Sequence, residues 1–229
     1  MNAPKPEKES AAREEIDRQL SDAGWHVCDY GAQDISRPCA IREFPLKQGH
    51  GHADYLLYLD RKAVGVVEAK KVGHTLKGVE IQSGKYTTGL PDDLPAHERP
   101  LPFAFESTGK ETQFTNNLDP VPRSRSVFSF YRPEGLIKLL DVAELDLAAD
   151  DHGEYIDRGR TFLARMQNMP PLIEEGLWGK QAQAVKSIEA SLKDNRPRAL
   201  LQMATGSGKT YTAITQIYRL IKFAGARRV

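Results

Sequence analysis

The segment Ala204-Thr205-Gly206-Ser207-Gly208-Lys209-Thr210 sets two glycines, a lysine and a threonine in the order a nucleotide phosphate loop uses. Gly206 and Gly208 let the backbone curl so that successive N–H groups and a helix start face phosphate oxygens. Lys209 then reaches the β/γ oxygens, and the Thr210 hydroxyl is placed to hold Mg²⁺. The general pattern asks for a further glycine where this chain has Met203. A second group is Asp54 with Glu68-Ala69-Lys70. Two carboxylates side by side suit one Mg²⁺, so Asp54 and Glu68 are the candidate metal ligands. Lys70 lies two residues past Glu68, hence on the same strand face, where an amine orients or helps deprotonate a water; the chemistry that fits is phosphodiester hydrolysis.

Each group needs elements to hold it. Residues 54–59 and 63–68 read as two apolar strands joined by the polar turn Asp60-Arg61-Lys62, a β-hairpin. A turn centred on Arg61 sets Asp54 directly opposite Glu68, with Cβ atoms about 4.5–5.5 Å apart. A slip of one residue would separate the two acids. Residues 10–23 read as an amphipathic helix with Ala12, Ile16 and Leu20 on one face and Gly24 as its stop. Further expectations are a helix over 75–88, short strands over 103–106 and 127–131, and a helix over 133–148 that opens on Pro133. In the second part, 181–192 reads as a helix and 198–203 as a strand. Residues 210–223 read as an amphipathic helix with Ile214, Ile217, Tyr218 and Ile221 on one side. The phosphate loop thus falls between a predicted strand and a predicted helix.

The 229 residues carry 32 Lys+Arg against 31 Asp+Glu, with 40% hydrophobic residues, an ordinary globular composition that excludes disordered and collagen-like classes. Charge is uneven: from Asn195 onward seven basic residues stand with no acid among them, a pattern that suits phosphate or nucleic-acid contact. The amino terminus is polar where a secretory signal needs an apolar core, and no apolar run reaches the roughly 18 residues of a membrane span. The expectation is a cytoplasmic protein whose two cysteines, Cys28 and Cys39, are reduced thiols. Mixed strands and helices indicate an α/β fold with a first domain over 1–150, a linker over 151–170 and a second unit over 171–229. The abrupt basic end suggests an amino-terminal piece of a longer chain.

The loop resembles motif I of superfamily 2 helicases and translocases, which implies that 171–229 starts a RecA-like ATPase domain that binds ATP through Thr205 to Thr210. Upstream, Leu177-Trp178-Gly179-Lys180-Gln181 resembles the glutamine motif of those motors, in which Gln181 would read adenine. Asp54, Glu68-Ala69-Lys70 and Gln82-Ser83-Gly84-Lys85-Tyr86 together resemble the PD-(D/E)xK nuclease core of the restriction (R) subunit of type I restriction-modification enzymes, with Ala53 in place of the nominal proline. The likeness extends to Arg13-Glu14-Glu15-Ile16-Asp17 and Ala23-Gly24-Trp25. It implies catalytic roles for Asp54, Glu68, Lys70, Gln82 and Tyr86. In related nucleases a first-helix carboxylate completes the metal shell, and Glu15 is taken for that role over Glu14 and Asp17. It further implies an endonuclease of double-stranded DNA coupled to an ATP-dependent translocase, working with methylation and specificity subunits. The acidic motif that would position water for ATP hydrolysis is missing from these residues, so ATP hydrolysis by this segment alone is not expected.

Two other readings compete. His50-Gly51-His52-Ala53-Asp54 resembles the His-x-His-x-Asp start of metallo-β-lactamase-fold hydrolases, which would make the chain a zinc metallo-hydrolase. Alternatively, the acids are merely structural and the chain is a nucleotide-dependent DNA-binding module without nuclease activity.

Overall fold

Ala12, Ile16 and Leu20 recur at helical spacing, and in the computed structural model all three are buried on the inner face of helix α1 (Glu7–Asp22), which Gly24 ends at a φ of +93°. The structure describes residues 7–71, 73, 76, 87–144, 161–196 and 198–226. The chain divides into two units, Met1–Lys138 and Leu139–Val229. Of the expected linker, the described residues 161–170 fall in the second unit.

The first unit is built on a seven-stranded sheet. Its strands follow chain order: β1 (His26–Asp29), β2 (Cys39–Pro45), β3 (His52–Leu59), β4 (Lys62–Ala69), β5 (Phe103–Ser107), β6 (Thr112–Asn116) and β7 (Arg125–Val127). The β1–β2 and β4–β5 pairs are parallel and the others antiparallel. Ile41, Leu56, Val66 and Ala104 pack in one apolar cluster. Phe103, Phe105 and Phe114 form an aromatic one, joined by Phe130 and Tyr131. Gly65 is required between these strands, because a Cβ there would lie 2.6 Å from the Phe103 carbonyl oxygen. Both cysteines are free and buried, and burial pushes the Cys39 thiol up to about 12, so it stays protonated.

The expected hairpin forms, but by a different route. The turn is the two-residue pair Asp60-Arg61, with φ of +49° and +61°, the doubly positive geometry that matches strand twist. That tight turn pairs Leu59 with Lys62 and Tyr58 with Ala63; a bulge at Leu57/Tyr58 then absorbs Val64 as an extra residue, and beyond it Leu57 pairs with Gly65 and Tyr55 with Val67. Turn and bulge together restore the register that a turn centred on Arg61 would have given.

Other expectations need correction. Residues 128–131 are not a strand: the Tyr131 carbonyl accepts from Trp25 Nε1 at 2.9 Å, Phe130 is buried against Phe105, and Phe128 is fully exposed, so the ladder stops at Val127. Strands β1, β2 and β6 were not anticipated. Helix α2 (Pro133–Glu144) forms as expected from Pro133, and the rest of 133–148 lies outside the described residues, as does most of 75–88.

In the second unit, α3 (Phe162–Gln167), α4 (Gly179–Lys193) and α5 (Lys209–Ala224) pack on one another around Met166, Met169, Leu220 and Ala224. Arg219 is buried and bidentate on Glu189, at 2.6 and 3.2 Å, and donates to the Pro170 carbonyl at 2.7 Å, tying the approach to α4 onto α5. The expected strand over 198–203 does not form. A strand exists through its ladder partners, and none of the described residues pairs with this stretch; Leu200 is exposed. Ile214, Ile217, Tyr218 and Ile221 do share one side of α5, but that side is exposed, and the helix packs through Thr212, Gln216, Arg219, Leu220 and Ala224 instead.

Candidate functional site

Asp54 sits one step past the last paired residues of the hairpin, Tyr55 and Val67, and so faces Glu68. Its Oδ2 accepts the Ala69 backbone N–H at 2.8 Å, which fixes the carboxylate against the end of β4. Lys70 Nζ donates to Glu68 Oε1 at 3.0 Å, and the Lys70 N–H bonds the Ser107 carbonyl, so the next strand anchors the lysine backbone. Asp54, Glu68 and Lys70 are therefore brought together, with the Asp54 and Glu68 side chains each 13% exposed. Burial, with the Asp54 charge beside it, raises the Glu68 carboxyl above the ordinary range; its bond to Lys70 opposes that shift without cancelling it. A buried acid pair of this kind gains from a cation.

Three residues at this site were missed in the sequence. Arg13, on α1, donates from Nη2 to Asp54 Oδ1 at 2.5 Å and from Nη1 to Glu43. Glu43 lies on β2 between the pairs Arg42–Tyr55 and Phe44–Ala53, so it faces Asp54 from the side opposite Glu68. Glu106, buried on β5, pairs with Glu68 across the parallel ladder. Hairpin logic applied to the turn around Gly49 and Gly51 would have found Glu43. No local pattern marks Arg13, which is 41 residues from its partner.

The first-helix acids are engaged elsewhere. The Glu15 carboxylate accepts from Arg18 at 2.6 Å and from Gln19 at 2.7 Å; chiefly the Arg18 bond holds it down to about 2. Asp17 is bound by Arg42 and by the Tyr55 hydroxyl, at 2.9 and 2.8 Å. Gln82 and Tyr86 lie outside the described residues. Among the described residues no group of three or more His, Cys, Asp or Glu is placed to hold a metal ion. His50 packs beside Gly89 and His52 pairs with Pro45. Mg²⁺ asks for less than such a cage: one or two carboxylates, with waters and substrate phosphate completing the shell. The hard oxygens of Asp54 and Glu68 fit that demand.

The phosphate loop forms a turn ahead of α5. Gly206 and Gly208 both take φ of +78°, and Gly208 caps the helix. Gln181 supports the loop from α4: its Nε2 donates to the Ser207 carbonyl at 3.0 Å and its Oε1 accepts the Trp178 N–H at 3.0 Å. The positive φ favours glycine at 208, and a Cβ there would also displace the Gln181 amide, whose Nε2 would lie 2.1 Å away. Lys209 Nζ is folded onto the Met203 and Ala204 carbonyls, at 3.0 and 3.2 Å, across the loop it is expected to serve. Thr205 and Thr210 are exposed, and Ser207 Oγ bonds the Ala204 carbonyl at 2.6 Å.

The first unit is thus a mixed sheet with an acid–lysine cluster, the second carries a phosphate loop, and known proteins with similar sequences are restriction-enzyme subunits. Residues 31–140 match the family described as type I restriction enzyme EcoKI endonuclease subunit second domain, and residues 176–229 match the family described as type III restriction enzyme, res subunit. The type I restriction enzyme EcoKI endonuclease subunit of Escherichia coli (strain K12) is 26% identical over 272 residues; the match covers 96% of this chain and 22% of that protein. A solved fragment described as an HsdR subunit of a type I restriction enzyme from Vibrio vulnificus YJ016 matches 93% of the chain and 38% of its own, at 19% identity and a TM-score of 0.40. The chain is thus similar to endonuclease (R, HsdR) subunits of type I restriction enzymes, and it spans about a fifth of the curated relative's length.

Proposed function

We propose that this chain carries the DNA-cutting site and the nucleotide loop of a type I restriction endonuclease subunit. The substrate is double-stranded DNA, and the cofactors are Mg²⁺ at the acid pair and ATP with Mg²⁺ at the loop. The partners are the methylation and specificity subunits, and cleavage is coupled to ATP-dependent translocation in the cytoplasm. The observation that carries this reading is the convergence of Asp54, Glu68 and Lys70 at the ends of β3 and β4, in the register their spacing requires. The run of basic residues without an acid from Asn195 onward, apart from Arg219, which is spent on Glu189, and the family matches support it.

Asp54 and Glu68 would hold the Mg²⁺, which when bound polarises the scissile phosphodiester and offsets charge that develops on its oxygens. Ala69 N–H keeps Asp54 from rotating away. Lys70, held on Glu68, orients a water for attack on phosphorus and favours the extra negative charge of the transition state. In the second unit, Gln181 keeps the loop backbone in shape, and Lys209 needs only to leave the Met203 and Ala204 carbonyls to reach a phosphate. Nothing in the described residues favours the zinc reading, whose histidines do not converge with Asp54 on one point.

The test uses the restriction complex containing this chain. Lys70→Met or Glu68→Gln should lower DNA cleavage by about 10²–10⁴-fold, the usual worth of a positioned acid–base group, while ATP hydrolysis and translocation continue. Cleavage that survives both changes would leave the chain a nucleotide-dependent DNA-binding module.

A further inference from the structure

Arg13 is a cation already seated where a divalent ion is expected. Its guanidinium spans two carboxylates that face each other across β2 and β3, bonding Asp54 Oδ1 at 2.5 Å with one amino group and Glu43 with the other. We propose that Arg13 is a resident counter-ion of the nuclease site: it holds Asp54 while no divalent cation is bound, and Glu43 retains it when the cation takes Asp54. This inference rests on the reading that Asp54 and Glu68 take Mg²⁺.

Four observations point the same way. Asp54 cannot follow the guanidinium, because its other oxygen is tied to the Ala69 N–H at 2.8 Å. Arg13 can move, since its side chain is 32% exposed and its buried Nε has no hydrogen-bond partner to anchor the stem. Glu43 holds a φ of +49° inside an otherwise regular ladder, a conformation costly for a glutamate and one that marks a position serving more than pairing. The Glu43 side chain is 53% exposed against 13% for Asp54, so the second seat is nearer solvent than the first. A purely structural brace would need neither the mobile stem nor the second carboxylate.

The experiment measures Mn²⁺ affinity of the full chain without DNA, by calorimetry, with circular dichroism to confirm folding. Arg13→Gln should tighten Mn²⁺ binding by several-fold to about tenfold, the scale of one partly exposed ion pair released. Glu43→Gln should weaken it by a similar factor, because the displaced guanidinium then has no alternative seat. A structural role would give the same sign for both, and plain charge removal would leave Glu43→Gln weakening Mn²⁺ binding in the Arg13→Gln background as well, where the exchange predicts no effect of Glu43→Gln. Unchanged or weaker binding in folded Arg13→Gln would overturn the proposal, and so would unchanged or tighter binding in Glu43→Gln, which stands alone should Arg13→Gln not fold. Asp54→Asn is the control for the underlying reading: if wild type binds Mn²⁺ no better than Asp54→Asn, the metal site itself fails, a result distinct from a failure of the Arg13 exchange.

Discussion

At the residue scale the site is defined by two acids that burial crowds together, each held by a cation. Asp54 and Glu68 are set side by side with little solvent, and the Glu68 carboxyl is raised mainly by burial and next by Asp54. The folded state therefore binds this proton more tightly than the unfolded chain does. Above the raised folded-state value both states are ionised and the folded state bears the full penalty; the penalty shrinks as pH falls toward the ordinary carboxyl range, and below that range Glu68 is protonated in both states and it vanishes. In EDTA, Glu68→Gln should thus stabilise the fold at pH 7.5 by about 0.5–2 kcal/mol, the usual range for stabilising changes. The gain should disappear at and below pH 4. Thermal melts at the two pH values check this, and a loss of stability at pH 7.5 would show that the Lys70 bond outweighs the burial. The acid–lysine set and the glycine loop were legible in the sequence because each is a short pattern with fixed spacing. Arg13, Glu43 and Glu106 were not, because each reaches the site through strand or helix neighbours far away in the chain.

At the element scale the decisive device is the Asp60-Arg61 turn combined with the bulge at Val64. The expectation of Asp54 opposite Glu68 holds because two local irregularities compensate, and neither is visible as hydrophobic alternation. Inserting one residue after Val64 adds a residue that a single-residue bulge cannot absorb, so the pairing beyond it slips by one and Glu68 no longer faces Asp54. The expected outcome is loss of Mn²⁺ binding and of cleavage with the far-ultraviolet dichroism of the sheet retained; full metal affinity in the insertion variant would refute the role given to the register. Helices were read well, since α1, α4 and α5 differ from expectation by only a few residues at their ends. Strands were read less well for a physical reason. Thr112-Gln113-Phe114-Thr115-Asn116 is polar and becomes β6 only between β5 and β7, whereas the apolar run at 198–203 finds no partner among the described residues and forms no ladder.

At the scale of the whole molecule the two units divide the work. The first presents two acids and a lysine at the ends of adjacent strands, and the second presents a glycine-rich turn supported by Gln181 at the start of a helix. No helix among the described residues is long and apolar enough to cross a membrane. On the proposed reading, cutting and nucleotide binding are separable by substitution. The central claim is that Asp54, Glu68 and Lys70 cut DNA with Mg²⁺, and the most direct measurement is cleavage of supercoiled plasmid by the restriction complex containing this chain, supplied with ATP, wild type beside Lys70→Met, with Mg²⁺ or with EDTA. The account predicts nicking by wild type that needs Mg²⁺ and is at least about 100-fold slower in Lys70→Met. No Mg²⁺-dependent nicking by wild type, or equal rates for the two proteins, would contradict it.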